Sequence, residues 1–189
     1  MKLETSRLIL RDWTLKDVDD LVDGLNDMEV AKWLAFVPHP YTLLDAEKWI
    51  KYCLNSSNSE EERAAYHFAI ELKSAQKVIG GVSIDNVNRF QGTAGGGIWL
   101  NAKYHALGYA SEAFAKRIEF AFEKLKLRRL DNGYFKGNES SFKLQEKFGY
   151  KLEGLKRKAF ISMATGETMD EYTTGLLKEE WIKVPPTKF

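Results

Sequence analysis

The amino-acid sequence predicts a single domain of the α/β class, in which helices and strands are mixed along one chain. The chain has 189 residues, which is enough for one full core and short for two. Segments with the alternation of strands are interleaved with segments of helical spacing, in the order β-α-α-β-β-β-α-β-α-β-β. No repeat, low-complexity tract or linker divides the chain. We therefore expect the domain at 1–183 and a tail at 184–189.

The first half of the chain contains two predicted helices. Thr14 and Asp17 form a variant of the capping box, and apolar residues at helical spacing follow them, so a helix is predicted over 14–26. A second helix begins at Thr42, after two prolines have forced an extended approach. The other elements predicted here are a strand at 7–11, a polar loop at 55–62, and strands at 66–72, 78–84 and 97–100.

The second half of the chain begins with its longest segment of helical spacing. Apolar residues recur along 109–125, which predicts a helix with one side facing the core. Gly149 fits the end of a later helix, and Pro185-Pro186 ends regular structure. The other elements predicted here are a strand at 129–135, a helix at 139–148, and strands at 150–155 and 171–177.

Composition excludes several kinds of function. Lysine and arginine total 28 against 27 acidic residues, a net charge of +1, and this balance lacks the basic excess typical of nucleic-acid binding. No apolar stretch approaches the roughly 18 to 20 residues that a membrane span needs. One cysteine, Cys53, makes neither an internal disulfide nor a cysteine-based metal site. We therefore expect no metal, and a reducing, cytoplasmic location is the default.

The stretch 97–113 joins a strand to a helix through a short loop, with a glycine at the helix start. Gly108 allows a ligand to approach the backbone closely. The first amides of the helix, from Tyr109 onward, have no intrahelical partner and lie at the positive end of the helix dipole. Together these features suit a phosphate group. Many helices begin near glycine without binding a ligand, so the local pattern leaves that alternative open.

Three polar residues share one face of the helix predicted at 139–148. Asn138, Ser141 and Gln145 are spaced i, i+3 and i+7, which aligns their side chains along the helix. Two interpretations fit this pattern. Either the three residues belong to a binding surface, or Asn138 is an ordinary N-cap and Ser141 an incidental polar neighbour.

In their order and spacing these segments resemble the acetyl-CoA-binding core of the GNAT superfamily of acetyltransferases. Within that superfamily the chain resembles the ribosomal-protein N-terminal acetyltransferase (RimJ/RimL) branch. The resemblance covers most of the chain, and the order of the motifs makes it specific. The motifs that carry it lie at 4–11 (Glu-Thr-Ser-Arg-Leu-Ile-Leu-Arg), 40–46, 97–113, 138–150 and 175–181.

The resemblance implies a fold and a site for acetyl-CoA. The central sheet would be mixed and mostly antiparallel, with helices on both faces and a splayed pair of strands, one at 97–100 and one beginning near Arg129. The pantetheine arm would lie between them and pair with free backbone groups, while the pyrophosphate would meet the amides around Gly108. The implied cofactor-binding residues are Ile98, Trp99, Leu100, His105, Ala106, Leu107, Gly108, Tyr109, Ala110, Ser111, Asn138 and Ser141.

The reaction implied by the resemblance is acyl transfer from a thioester to an amine. Such a transfer needs a polarised carbonyl, a neutral amine and a proton for the departing thiolate. A backbone amide at Ile98 or Leu100 would polarise the carbonyl, and Ser141 would supply the proton. We take Glu71 as the base. The alternatives left open are a water chain, Asp85, Glu171, His67 and His105.

The sequence departs from the family pattern at three positions. His105 stands where the pyrophosphate loop begins with glutamine, arginine or tryptophan, and this leaves phosphate binding intact because the backbone supplies most of it. Gly95 stands where the branch often has a glutamate, and Gln145 stands where many GNAT enzymes have a tyrosine. These two departures put the usual base and one usual acid in doubt.

The prediction is therefore an enzyme that moves an acetyl group from acetyl-CoA directly to a primary amine, within a ternary complex. The acceptor would be a protein or peptide N-terminus or a small amine, selected by the segment at about 28–60, with Trp33 and Phe36 at the mouth. We expect a monomer or homodimer, with no membrane or nucleic-acid partner. One alternative is a GNAT-fold module that holds acyl-CoA without turnover. Another is a protein that binds a different nucleotide at 107–110, although it lacks a P-loop lysine and the spaced glycines of a dinucleotide motif.

Overall fold

The computed structural model describes residues 1–55 and 63–184. Residues 56–62, most of the predicted loop, and 185–189, with Pro185-Pro186 and most of the predicted tail, lie outside the described residues. The strands are β1 Lys2–Glu4, β2 Leu8–Asp12, β3 Tyr66–Leu72, β4 Lys77–Asn88, β5 Thr93–Gly95, β6 Ile98–Leu100, β7 Arg129–Phe135, β8 Lys151–Ile161 and β9 Thr168–Leu177. The helices are α1 Val18–Leu25, α2 Met28–Ala31, α3 Leu43–Asn55, α4 Tyr109–Glu119 and α5 Glu139–Glu146.

The strands form one sheet in the order β1-β2-β3-β4-β5-β7-β9-β8, and β6 pairs with β4 off this path. The described neighbours are antiparallel except β5 and β7, which run parallel. A parallel pair needs a long crossover connection, and α4 lies within that connection. The sheet is therefore mixed and mostly antiparallel, as predicted.

The sheet opens into a fork at residues 95–97. β5 pairs with β7 over Thr93 and Ala94, whereas β6, just beyond the bend, pairs among the described residues with β4. Gly96 makes the bend at a φ of 126°, and a Cβ at this position would lie 2.3 Å from the carbonyl oxygen of Ser83. We call the gap between β6 and β7 the fork. It confirms the predicted splayed pair of strands.

Helices cover both faces of the sheet and bury two apolar clusters. On one face, α4 contributes buried side chains such as Phe114 and Ile118. On the other face, α1 and α3 contribute Leu21 and Ile50. Each fully buried side chain of this kind stabilises the fold by about 1.5–3 kcal/mol. The predicted placement of helices on both faces is confirmed.

The structure differs from the sequence prediction mainly in short or exposed elements. β1 and β5 have three residues each, too few to produce a strand pattern. β8 extends to Ile161 although most of its side chains are exposed, because it pairs with β9 along a long hairpin. The helix predicted over 109–125 is α-helical to Glu119 and ends in a π-helical turn at Phe120–Lys124.

Candidate active site

A cleft of about 1410 Å³ runs through the fork and along the sheet face that α1 and α3 cover. It brings together most of the residues predicted to bind the cofactor. Among the described residues, Leu107 and Tyr109 lie outside its lining. The predicted residues that line it are Ile98, Trp99, Leu100, His105, Ala106, Gly108, Ala110, Ser111, Asn138 and Ser141.

The backbone of β6 presents free amides to the fork. Ser83 N donates to the carbonyl of Gly97 (2.9 Å), and Asn101 N donates to β4 at Ile79 (2.9 Å). Because backbone groups alternate sides along a strand, the amides of Ile98 and Leu100 point away from β4 and into the fork. His105 Nε2 lies 2.9 Å from the Leu100 carbonyl oxygen on that side. This geometry is what an extended ligand needs in order to pair with β6.

The loop that follows β6 curls toward the start of α4. Ala106 and Gly108 have positive φ values of 60° and 82°, and Gly108 is the N-cap of α4. Glycine adopts this left-handed conformation without steric cost, whereas other residues lose about 1–2 kcal/mol. Successive amides in such a turn form a concave anion site. The site lies at the positive end of the helix dipole.

The outer side of this loop is held by Arg7. Its Nη1 donates to the Leu107 carbonyl oxygen (3.0 Å), and its guanidinium lies 4.5 Å from the centroid of the Tyr109 ring. Its Nε donates to the carboxylate of Glu112 (2.6 Å), which is buried and also accepts from Ser6 Oγ (2.9 Å). Burial raises the pKa of Glu112, but its hydrogen bonds outweigh burial and hold the pKa below its usual value. Leu107 and Tyr109 therefore serve to anchor the loop.

Arg117, which the sequence reasoning missed, occupies the inner end of the fork. It is fully buried on α4. Nε donates to Ser83 O (2.6 Å), Nη2 to Gly95 O (2.8 Å) and Nη1 to the hydroxyl of Tyr150 (3.1 Å). The side chain thus fixes β4 and the end of β5 at the point where the fork opens. A lone arginine at helical spacing gave no signal of this role.

The three polar residues of α5 meet at the β7 side of the fork. Asn138 Oδ1 accepts from Ser141 N (3.2 Å), which confirms the N-cap interpretation, and both residues also line the cleft. Gln145 is buried, and its Nε2 donates to Ser141 Oγ and to Gly133 O, each at 3.1 Å. Its Oε1 accepts from Thr174 (2.5 Å). Gln145 therefore fixes Ser141 against β7.

The candidate bases separate into two groups. Glu71 accepts from Arg11 Nε (2.6 Å) and lies outside the cleft lining in the described part of the chain. The structure does not bring Glu71 together with Ser141, and its role as base stays a prediction. The candidates that line the cleft are His67, Asp85, His105 and Glu171.

Glu171 reaches the cleft because residue 133 is glycine. A Cβ at Gly133 would lie 2.6 Å from Glu171 Oε1, so the carboxylate rests directly over β7. Its other oxygen accepts from Lys156 Nζ (3.1 Å). Glu171 is therefore held between β7 and Lys156.

Aromatic side chains form the outer wall of the cleft. Trp33 and Phe36 line it, and their place at the mouth for the acceptor stays a prediction. The Trp33 ring spans the opening, since a Cβ at Gly137 would lie 3.5 Å from it. Met163 N donates to Ala35 O (3.0 Å), which ties this segment to the β8–β9 hairpin. This side of the cleft is therefore partly covered by the segment that contains Ala35.

Two further findings concern the described residues as a whole. No group of three or more His, Cys, Asp or Glu side chains within 1–55 and 63–184 is placed to hold a metal ion. No helix in the same ranges has the length and apolar character needed to cross a membrane.

Comparison with known proteins settles the family. Residues 7–151 match the family described as "Acetyltransferase (GNAT) domain". The chain belongs to this family. The matched range contains the fork, the loop before α4 and all of α5. The GNAT assignment therefore rests on the elements that build the cleft.

Individual relatives agree with the family over nearly the whole chain. An uncharacterized N-acetyltransferase of Bacillus licheniformis, p20, is 31% identical over 179 residues, which are 95% of this chain and 97% of that protein. The ribosomal-protein-S5-alanine acetyltransferase of Vibrio fischeri has a TM-score of 0.80 at 22% identity, covering 96% and 99% of the two chains. Spermidine N-acetyltransferase of Vibrio cholerae, solved with CoA and spermine, has a TM-score of 0.76 at 19% identity, covering 93% and 98%. The two structural likenesses concern the fold.

Proposed function

We propose that this GNAT protein is an acetyl-CoA-dependent N-acetyltransferase of the RimJ/RimL kind, which moves an acetyl group to a primary amine. The fork is the observation that carries the proposal. Its free amides on β6 lead directly into the loop and the first turn of α4. A thioester on an extended, phosphate-bearing arm is the ligand that matches both parts of this surface.

The residues present fit acetyl-CoA on the fork. The amides of Ile98 and Leu100 would pair with the pantetheine arm in the manner of an added strand. The amides at the start of α4, from Tyr109 onward, would hold the pyrophosphate. Lys143 of α5 also lines the cleft and adds positive charge for an anionic cosubstrate. Leu107 and Tyr109 would contribute backbone amides, since Arg7 holds the carbonyl oxygen of Leu107 and the ring of Tyr109 on the outer side of the loop.

Ser141 is placed to give a proton to the departing thiolate. Its Oγ already accepts from Gln145 Nε2, so the hydroxyl proton is left for another acceptor. Gln145 in turn is held by Gly133 and Thr174, which restricts the direction in which Ser141 points. Gln145 thus replaces the tyrosine of many GNAT enzymes as a positioning residue, and Ser141 supplies the proton.

The acceptor end of the cleft favours a positively charged amine. Four carboxylates of the described residues line the cleft, at Glu29, Asp45, Asp85 and Glu171. The lysines that line it are Lys48 of α3 and, on the α5 side, Lys143 and Lys147. Acidic and aromatic side chains together recognise ammonium groups. Structural neighbours are named for action on spermidine and on a ribosomal-protein alanine, and both acceptors carry primary amines. We propose the same chemical class here.

Location and assembly follow the default for such an enzyme. Burial raises the pKa of the Cys53 thiol to about 12, which makes it unreactive and compatible with a reducing compartment. We propose a cytoplasmic protein that acts as a monomer or homodimer.

The alternative is a GNAT-fold module that holds acyl-CoA without turnover. Its motivation is that Gly95 and Gln145 replace the family's usual acidic and tyrosine residues. Binding of acetyl-CoA without transfer to any amine would favour this module.

Incubation with acetyl-CoA and a panel of amines tests the proposal. The panel contains peptides that begin with serine, alanine or methionine, together with spermidine and glucosamine, and mass spectrometry detects an added acetyl group. We expect at least one acceptor to gain a single acetyl group at its primary amine. Acetyl-CoA binding with no modified acceptor would contradict the enzyme and leave the module.

A further inference from the structure

A buried histidine in the cleft has no hydrogen bond to either ring nitrogen from the described part of the chain. His67 lies on β3 and is 8% exposed. Nδ1 and Nε2 both lack a hydrogen-bond partner among the described residues, and so does Asp85 Oδ1. Leaving a buried polar atom without a hydrogen bond is costly. Three such atoms on two neighbouring side chains of the cleft indicate a site that a ligand completes.

His67 and Asp85 are linked to the fork by a chain of polar groups. His67 Nδ1 lies 3.5 Å from Asp85 Oδ1. Asp85 Oδ2 accepts from Ser83 Oγ (2.6 Å), and Ser83 Oγ accepts from the amide of Gly97 (3.2 Å). Gly97 directly precedes β6, and nothing lies within 4 Å of where its Cβ would be. The chain therefore ends at open space beside the fork.

The surroundings of His67 are mostly aromatic. The rings of Trp49 and Tyr52 on α3 lie 5.1 Å and 5.8 Å from the imidazole. Burial lowers the pKa of His67, and Arg63 acts in the same direction while Asp85 opposes it. The imidazole is therefore neutral at pH 7, the form that accepts a proton. Several titratable or charged groups surround His67. They are Asp85 on β4, Tyr52 and Cys53 on α3, Arg63 before β3, and Asp12 of β2, which pairs with Arg63.

We infer that Asp85 and His67 form the proton-accepting pair that deprotonates the acceptor amine, an inference that rests on the proposed function. Asp85 is one-third exposed in the cleft and binds the ammonium group. One N–H bond of the ammonium breaks and a bond from the proton to His67 Nδ1 forms, which leaves an imidazolium beside the Asp85 carboxylate. The freed lone pair attacks the thioester carbon, the carbon–sulfur bond breaks, and the nitrogen releases its second proton to solvent as the amide forms. The sulfur takes a proton from Ser141, which regains one from solvent, or from solvent directly.

The other carboxylates are less suited to this step. Glu71 is held by Arg11, which also binds Asp17 through two nitrogens at 2.8 Å. Glu171 is paired with Lys156. Each of these two carboxylates already accepts a hydrogen bond from a cation, so an incoming ammonium group would have to compete with that cation. His67 has a carboxylate beside it instead, and Asp85 stabilises the charge that the histidine gains.

Two variants test the pair, His67→Gln and Asp85→Asn, with Asp19→Asn on the exposed face of α1 as the matched control. The probe is the fastest acceptor in the amine panel. We expect kcat/KM at pH 7 to fall about a hundredfold or more in both variants, as for loss of a general base. Asp19→Asn is expected to retain full activity. Acetyl-CoA affinity, measured by calorimetry, is expected to be unchanged in all three and also reports that each variant is folded.

The pH profile separates a proton-accepting role from a structural one. In the wild type we expect kcat/KM to rise with pH through the pKa of His67, which burial holds below the usual 6.5, and then to level off. In His67→Gln, kcat/KM is expected to rise about tenfold per pH unit up to the pKa of the acceptor amine, since water must then remove the proton. Imidazole added to His67→Ala is expected to restore part of the lost rate.

Several results would contradict the proposed role of His67 and Asp85 as the proton-accepting pair. Activity within threefold of wild type in both variants, or a profile unchanged in His67→Gln, would exclude it. A loss confined to Glu71→Gln, tested in parallel, would assign the base to Glu71. A wild type that binds acetyl-CoA but modifies no amine in the panel is a different outcome, because it contradicts the proposed function itself.

Discussion

Replacing Arg117 by methionine tests how the fork is built. Arg117 is 0% exposed and makes three hydrogen bonds, to Ser83, Gly95 and Tyr150. Among the described residues its guanidinium has no carboxylate within ion-pair distance. The charge is therefore neutralised by backbone and hydroxyl dipoles. Methionine keeps much of the volume and removes every donor.

The expected loss follows from those three bonds. Hydrogen bonds to a charged group contribute about 1.5–3 kcal/mol each, or about 4.5–9 kcal/mol for three. Removing a buried charge returns several kcal/mol of desolvation. We therefore expect Arg117→Met to lower the free energy of unfolding by about 3–5 kcal/mol. The affinity for acetyl-CoA should fall as well, because the two carbonyls that Arg117 binds fix the opening of the fork.

Urea denaturation followed by circular dichroism measures this loss. Lys116→Met is the matched control, since it removes a positive charge from the neighbouring position of α4 and breaks a partly exposed pair with Glu119, which contributes about 0–1 kcal/mol. The free energy of unfolding of Arg117→Lys should lie between those of Arg117→Met and Lys116→Met, because one ammonium group cannot reach three separated acceptors. A free energy of unfolding for Arg117→Met within 1 kcal/mol of Lys116→Met would refute this role of Arg117.

Three further predictions concern the cofactor loop and α5. Gly108→Val should abolish detectable acetyl-CoA binding by calorimetry at a cost of about 1–2 kcal/mol in stability, and normal binding would mean that the phosphate site lies elsewhere. Glu112→Gln should lower stability at pH 7 by about 1–3 kcal/mol. Because the folded-state pKa of Glu112 is depressed, the carboxylate contributes its full stability above the usual pKa of 4.5, and this contribution is lost as pH falls through the folded-state pKa. The urea midpoints of the wild type and of Glu112→Gln should therefore converge in acid. A difference between the two midpoints that stays constant with pH would contradict this prediction. Ser141→Ala should lower kcat about ten- to a thousandfold with acetyl-CoA affinity retained, whereas Asn138→Ala should mainly weaken binding; an unchanged kcat in Ser141→Ala would make water the proton source.

Much of the fold was predictable where the pattern is local and buried. The predicted strands at 66–72 and 129–135 match β3 and β7 residue for residue. The composition of β3 suits a fully buried strand, whereas β7 contains residue types that are rare in strands and is stabilised by its pairing with β9. β8 could not be predicted to its end, since its side chains are mostly exposed and its partner strand supplies the stabilisation. Short strands such as β5 depend on tertiary pairing alone.

The residues of the candidate site also divide into those that the sequence could reveal and those that only the fold brings together. The loop before α4 and the polar face of α5 are continuous in sequence, so spacing was sufficient to find them. Arg7 with Glu112, and His67 with Asp85, are joined only by the fold, and no spacing rule connects them. Glu71 and His67 do lie on one strand, but they are about 13 Å apart along it. The alternation of side chains along β3 could not show that Glu71 is already bound by Arg11.

Amide hydrogen exchange at β6 tests most directly whether the fork binds acetyl-CoA. Resolved by NMR, the amides of Ile98 and Leu100 should exchange rapidly in the free protein and become strongly protected when acetyl-CoA is added. The amide of Trp99, which faces β4, should be slow in both states and serves as the internal control. ATP should leave Ile98 and Leu100 unprotected, because it has no pantetheine arm. If acetyl-CoA binds and these two amides still exchange at their free rates, the cofactor does not pair with β6, and the proposed geometry of acetyl transfer is wrong.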